Sequence, residues 1–279
     1  MDDLSRELAG EGARARALLS VAPWLLRRTR FLGRLPALSG AGAVALLVAP
    51  GLGGPAAAPP EVVLRFAPPS APDGLPPGWE ALTFRKVERK TRYTVVREGD
   101  EHALRAESDA SASGLYRPLD LDARVYRMLA WRWKVDNVLT RADARRKEGD
   151  DYPARVYVAF RYEAGAATLW ERTRYGAIKL LYGQYPPRHV INYIWDNRLP
   201  PGMALDNAYT DRAKMIVVES GPARVGQWVA EQRDVHADYV RLFGAEPPPI
   251  AGVAVMTDTD DTGERAVAYY GAITLRAAP

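Results

Sequence analysis

The strongest constraint on this chain is a strict two-residue alternation of apolar and polar side chains that recurs from residue 92 almost to the C-terminus. In "RMLAWRWKV" (127–135), Leu129, Trp131, Trp133 and Val135 share one side, while Ala130, Arg132 and Lys134 share the other. Successive side chains project to opposite sides only in an extended strand, so the pattern demands a half-buried β-strand. "ARVYVAFRY" (154–162) repeats it, with Val156, Val158, Phe160 and Tyr162 set against Arg155, Tyr157, Ala159 and Arg161. "RYTVVREGDEHALRAES" (92–108) reads as two strands joined at Gly99-Asp100, a two-residue hairpin turn with Gly first. "VINYIW" (190–195), "KMIVVES" (214–220), "QWVAEQRD" (227–234), "IAGVAVMTD" (250–258) and "ITLR" (273–276) continue the series, and Val62–Phe66 makes a short early strand. Helix is scarce: "DVHADYVRLFG" (234–244) has Asp234 placed as N-cap and Gly244 in the position after the C-cap. Many short strands without a strand–helix rhythm predict an all-β fold, an antiparallel two-sheet sandwich of jelly-roll type with one or two short helices.

Residues 1–58 are a different kind of sequence. They carry seven Arg and four acids (7 − 4 = +3), against 31 basic and 30 acidic side chains (31 − 30 = +1) in the remainder. The body is therefore nearly neutral, which argues against a nucleic-acid partner. Arg27, Arg28, Arg30 and Arg34 precede an apolar run from Leu35 to Leu52, and Ala56–Ala58 supply small residues. This is the layout of an export signal, twin-arginine-like at Arg27-Arg28. The run of about 18 positions holds Pro36 and Pro50 and falls short of a ~20-residue span, so a cleaved signal is favoured over an N-terminal inner-membrane anchor, through which alone the chain would touch a membrane. Residues 59–78 read as a Pro/Gly-rich lead-in and 79–279 as the sandwich, exported and periplasmic. Cysteine is absent, which excludes disulfides, thiolate metal sites and a thiol nucleophile.

The chemistry is less legible. His102, His189 and His236 are widely separated, and neither a Gly-x-Ser-x-Gly elbow nor a phosphate-cradling Gly-Lys-Ser/Thr loop occurs. A carboxylate-pair hydrolase or lyase needs no local motif, and Glu219, Glu231 and Asp258 are its candidates. "MTDTDDTG" (256–263) concentrates Asp258, Asp260 and Asp261 at a strand end. Thr262 at the fifth position and Tyr269 at the twelfth exclude an EF-hand, leaving either a sandwich calcium site at Asp258 and Asp260 or a turn held by Asx hydrogen bonds. In "GDDYPAR" (149–155), Asp151 and Arg155 are spaced for a structural ion pair. The unpatterned loop 136–153, about 18 residues long, exceeds the usual length of a structureless connection. Arg132 and Lys134, then Arg155, Tyr157 and Arg161, then Glu231 and Arg233 are expected to point outward and form a polar sheet surface where their strands are neighbours. The chain has 7 Trp and 14 Tyr but 5 Phe, a bias toward aromatics with a polar handle. Trp195, at a strand end, and Tyr152, in the long loop, are the expected ligand platforms.

Together "LAWRWKV" (129–135), "GDDYPARVYVAF" (149–160), "NYIWD" (192–196), "MIVVESG" (215–221), the run from Trp228 through "RDV" (233–235) to Gly244, and "GVAVMTDTDDTG" with the following "AYYG" (252–271) resemble the bacterial family known as domain of unknown function 3047, over about residues 79–276. The resemblance implies an exported all-β protein with no established reaction. In that family the acidic run usually reads Asp-x-Asp-Asn-Thr; Asp261 stands here in place of the Asn and adds a charge. The segments carrying the likeness contain Asp150, Asp151, Arg155, Asn192, Asp196, Arg233, Asp258 and Asp260, which become the expected site residues. The resulting expectation is a non-catalytic sandwich that binds a glycan or another polar envelope ligand, with calcium as its candidate cofactor. A carboxylate-pair enzyme and a structural envelope protein are the alternatives.

Overall fold

A computed structural model of the chain describes residues 60–71, 74–84, 86–163 and 187–278; the expected export segment lies outside them. Among the described residues, fourteen strands and one α-helix follow in order: β1 (Glu61–Leu64), β2 (Glu80–Leu82), β3 (Arg92–Glu98), β4 (Glu101–Asp109), β5 (Ala112–Leu121), β6 (Met128–Val135), β7 (Arg155–Phe160), β8 (His189–Asp196), β9 (Ala204–Asn207), β10 (Thr210–Ser220), β11 (Val229–Asp234), α1 (Val235–Phe243), β12 (Ile250–Asp258), β13 (Arg265–Tyr270) and β14 (Ile273–Arg276). The first sheet runs β1-β14-β6-β13-β4-β3, with β11 also paired to β6; the second runs β2-β5-β12-β7-β8-β10-β9. The expected all-β sandwich is present, with one departure. β8 and β10 are parallel, because the chain first runs back as β9 on the outside and β10 then fills the gap between them.

The alternation does what the period-two argument requires. β6 buries every second residue, and Leu129, Trp131, Trp133 and Val135 enter the core. From the second sheet, Val156, Val158, Phe160, Ile191, Tyr193 and Trp195 meet them. The rings of Trp131 and Tyr193 lie 5.4 Å apart and those of Trp133 and Trp195 6.0 Å apart, so the sheets are joined by direct aromatic packing. Each such side chain removed from water contributes on the order of 2–3 kcal/mol, and this burial, more than any polar contact, holds the layers together.

α1 begins where Asp234 accepts the Ala237 N–H at 2.9 Å and stops at Gly244, whose left-handed φ of 65° a Cβ would disfavour. β11 departs from expectation. Its register sets Glu231 opposite Trp131 and Arg233 opposite Leu129, so both charged residues point inward and Ala230 and Gln232 point out. β6 and β7 belong to different sheets, so Arg132 and Lys134 form no common surface with Arg155, Tyr157 and Arg161. A register shift between Val217 and Glu219 in β10 sets Glu219 beside Trp195, on the inner side where strict alternation would have sent it outward.

Candidate functional site

Several expected site residues meet at one end of the second sheet. The long loop before β7 is ordered there by its neighbours. Glu264 accepts the N–H groups of Thr140 (3.1 Å) and Arg141 (2.7 Å), and Asn197 donates to the carbonyls of Leu139 (2.8 Å) and Ala142 (3.0 Å). The loop delivers Asp150, Asp151 and Tyr152 to the start of β7. β12, antiparallel to β7, ends alongside them at Asp258. The chain then turns through 259–263, closed by the Gly263 N–H on the Thr259 carbonyl at 2.8 Å, with Gly263 in the left-handed region at φ 64°.

The hydrogen bonds assign each carboxylate a task. Asp151, fully buried, accepts the Thr262 N–H at 2.6 Å and the Asp261 N–H at 3.4 Å, holding the acidic turn. Asp258 accepts the Tyr152 N–H at 3.3 Å and takes both Nε (2.8 Å) and Nη2 of Arg155. Arg155 also donates to the Asp150 carbonyl and stands 3.7 Å from Asp150 Oδ1, an oxygen with no hydrogen-bond donor among the described residues. Asn207 donates to Asp150 Oδ2 at 3.2 Å, and the Tyr209 hydroxyl reaches Asp261 at 3.1 Å. Arg155 therefore pairs with Asp258 and Asp150, and the expected Asp151–Arg155 pair is not formed. The reason is register: Arg155 lies opposite Met256 on β12, two residues from Asp258, while Asp151 is turned toward the 259–263 backbone.

Five carboxyl groups (Asp150, Asp151, Asp258, Asp260, Asp261) thus gather at this end of the sheet, and the buried Arg155 guanidinium is paired with two of them, Asp150 and Asp258. Burial pushes the Asp258 carboxyl well above the usual carboxylate range; Asp151 and Asp150 add to the rise, and Arg155 opposes it. Burial likewise raises Asp150, and burial with the charge of Asp151 raises Asp260. Asp261 is pushed up to about 6 by burial and by Asp260 and Asp151. A region that resists so much negative charge favours either protons or a cation. Carboxylate oxygens of Asp151, Asp258 and Asp260 all lie within 4.8 Å of one another. Ligands on opposite sides of a calcium ion stand about 4.6–5.2 Å apart, so the three fit within one shell. Two of these residues are buried and Asp260 is exposed, which leaves one side open to solvent.

The other expected residues are elsewhere. Asn192 is on the same side of the second sheet as Arg155, opposite Tyr157, with its Oδ1 buried and without a donor among the described residues. Trp195 is no ligand platform: it is fully buried against Trp133, and its Nε1 donates to the Gly221 carbonyl at 3.1 Å. Its odd position on an interior strand, in step with Ile191 and Tyr193, outweighs its place at the strand end. The Tyr152 ring, also buried, carries the Arg155 guanidinium at 4.3 Å and has no face left for a ligand. Asp196 caps the following turn, accepting the Arg198 and Leu199 N–H groups at 2.8 and 2.7 Å. Arg233 pairs with Asp238 of α1 through two hydrogen bonds of 2.9 and 2.6 Å. Glu231 and Glu219 do approach each other between the sheets. Burial and the neighbouring Glu219 push Glu231 up to about 7, while Glu219 is paired with Arg224 at 2.9 Å.

Sequence reasoning missed Asn207 and Tyr209, which reach the acidic cluster only because β9 and β10 fold back beside it. It also passed over Trp228 and Tyr269. For Tyr269 a signal existed: Ala266, Ala268 and Tyr270 of β13 are buried, so Tyr269 must point outward, where Lys134 Nζ lies 4.1 Å from its ring.

Comparison with solved structures finds remote likenesses. A mutant of the family 29 carbohydrate-binding module CBM29-2 shares 11% identity at TM-score 0.31, covering 78% of this chain and 85% of that one. The CBM22-1 xylan-binding domain of Paenibacillus barcinonensis Xyn10C shares 10% at TM-score 0.34 (80% and 97% covered), and the Emp47p carbohydrate recognition domain 10% at TM-score 0.38 (77% and 95%). These likenesses are too distant to say what this chain binds. No curated protein matches it. A family model does match, over residues 77–274, and the chain accordingly belongs to the family described as protein of unknown function, DUF3047.

Proposed function

We propose that the protein is an exported, non-catalytic β-sandwich that binds a glycan or another polar envelope ligand through a calcium ion held by Asp151, Asp258 and Asp260. The observation that carries this reading is the meeting of three carboxylates within 4.8 Å, two buried and one exposed. Hard cations take six to eight oxygen ligands, and three aspartates leave positions unfilled on the open side. Vicinal hydroxyls or a carboxylate of the ligand would complete the shell there. Arg155 and Asp150 keep the buried side fixed. Export is supported by the basic-then-apolar layout of residues 25–60.

The test is calcium titration of chelator-treated protein, followed by thermal unfolding and then by calorimetry with envelope oligosaccharides. Calcium should raise the unfolding temperature, ligand should bind only with calcium present, and Asp260→Asn should lose both effects while remaining folded. An unfolding temperature indifferent to millimolar calcium, or ligand binding that survives chelation, would overturn this reading. Export is tested separately: Arg27→Lys with Arg28→Lys should leave the chain in the cytoplasmic fraction.

A further inference from the structure

We infer that the outer face of the first sheet is a second binding surface, centred on Trp228 and Tyr269 and suited to a neutral polysaccharide. The inference takes from the proposed function only that the ligand is a glycan; its face is a different one and needs no metal. Trp228 stands immediately before β11 and Tyr269 on β13. They are brought together because β6, between these strands, pairs with both. Their ring centroids are 6.5 Å apart at 65°, and both rings are half-buried, so each is held by neighbours while keeping surface toward solvent. Most exposed sheet faces carry aliphatic or charged side chains singly. Two adjacent aromatic rings with polar handles on such a face form a stacking platform.

The surrounding charges lie against the rings and are themselves paired. Lys134 Nζ lies 4.1 Å from the Tyr269 centroid and pairs with Glu98 at 3.1 Å. The Arg132 guanidinium lies 4.6 Å from the Trp228 centroid and pairs with Glu101 at 2.5 Å. Gly271 makes room for it: a Cβ there would stand 2.5 Å from Arg132 Cγ. Arg105 pairs with Glu107 at 2.6 Å and donates to the Tyr269 hydroxyl at 3.3 Å. Trp228 Nε1 donates to Glu98 at 3.3 Å. Lys134 and Arg132 thus each meet a carboxylate beside the rings, while Glu107 is shared between Arg105 and Arg92. Each cation beside the rings is held by a carboxylate, so the face presents paired rather than free positive charge to a polyanion. What it offers is ring surface, fixed N–H donors and carboxylate acceptors, the groups that a hydroxyl-rich, uncharged chain uses.

Affinity electrophoresis of the full chain through gels containing neutral polysaccharides (xylan, glucomannan, mixed-linkage glucan) or acidic ones (alginate, polygalacturonate) tests this, with chelator present throughout. Retardation by a neutral polymer should persist at about 0.5 M NaCl, where surface electrostatics are screened within a few ångströms. It should fall roughly tenfold or more in Trp228→Ala and Tyr269→Ala, and hold in Trp228→Phe, which keeps a ring. Thermal unfolding verifies that each variant is folded, and Trp fluorescence of the wild type should shift on binding. Absence of retardation by any neutral polymer, retardation by acidic polymers alone that salt abolishes, or undiminished binding by folded Trp228→Ala each overturns the inference. Because chelator is present, none of these outcomes bears on the calcium-held ligand site.

Discussion

Replacing Arg155 by Met is the sharpest probe of the acidic cluster. The Arg155 side chain is 4% exposed, and its partners Asp258 and Asp150 are 3% and 7% exposed, so the substitution strands two buried carboxylates without their cation. Removing one partner of a buried ion pair costs about 3–5 kcal/mol. For a domain of this size that corresponds to a fall of about 6–20 °C in unfolding temperature. The loss should depend on pH in a definite direction. Asp258 already sits well above the ordinary carboxylate range in the folded protein, and losing the guanidinium drives it higher. Its folded-state value then exceeds its unfolded value of ~4, so the folded state binds more protons and stability falls as pH rises through that window. Lowering the pH from 7 to 5 should therefore recover part of the deficit. Calcium should do the same, by about 2.7 kcal/mol at a hundredfold excess over its dissociation constant. The assay is urea unfolding followed by Trp fluorescence at both pH values, in chelator and in calcium. A loss below ~1 kcal/mol at pH 7 in chelator, or equal losses at the two pH values, refutes the reasoning.

Two further substitutions separate packing from binding. Glu231 is held near 7, above its ordinary value of 4.5, by burial and the adjacent Glu219, so its contribution to stability falls as pH rises toward and past 7. Glu231→Gln should abolish that decline, flattening the difference between urea midpoints measured at pH 5 and pH 8; an unchanged slope would mean that Glu231 is not the group responsible. Trp195→Ala empties a fully buried site and should cost about 3–5 kcal/mol in chemical unfolding while leaving ligand affinity intact in the folded fraction. A selective loss of affinity there would restore Trp195 as a ligand contact.

Local order in this protein could be read one residue at a time. The alternation in 127–135 correctly assigns Trp131 and Trp133 to the core, and Asp234 and Gly244 mark the ends of α1, because strand periodicity and helix capping depend on residues only a few positions apart. Membership of the acidic cluster was only half legible. The acids stood out in the sequence, but the partnership of Arg155 with Asp258, 103 residues away, follows from the pairing of β7 with β12. The same kind of long-range choice turned Glu231 inward: alternation says that Glu231 and Arg233 share a side, and only the pairing of β11 with β6 says which side it is. Trp195 was misplaced for that reason too, since a strand's sequence does not disclose whether it will be an edge or an interior member of its sheet. Periodicity is a property of the backbone and is present in any short segment. Register and sheet membership are settled by which distant strands bury the most apolar surface together, and that choice brought Asp151, Asp258 and Asp260 together.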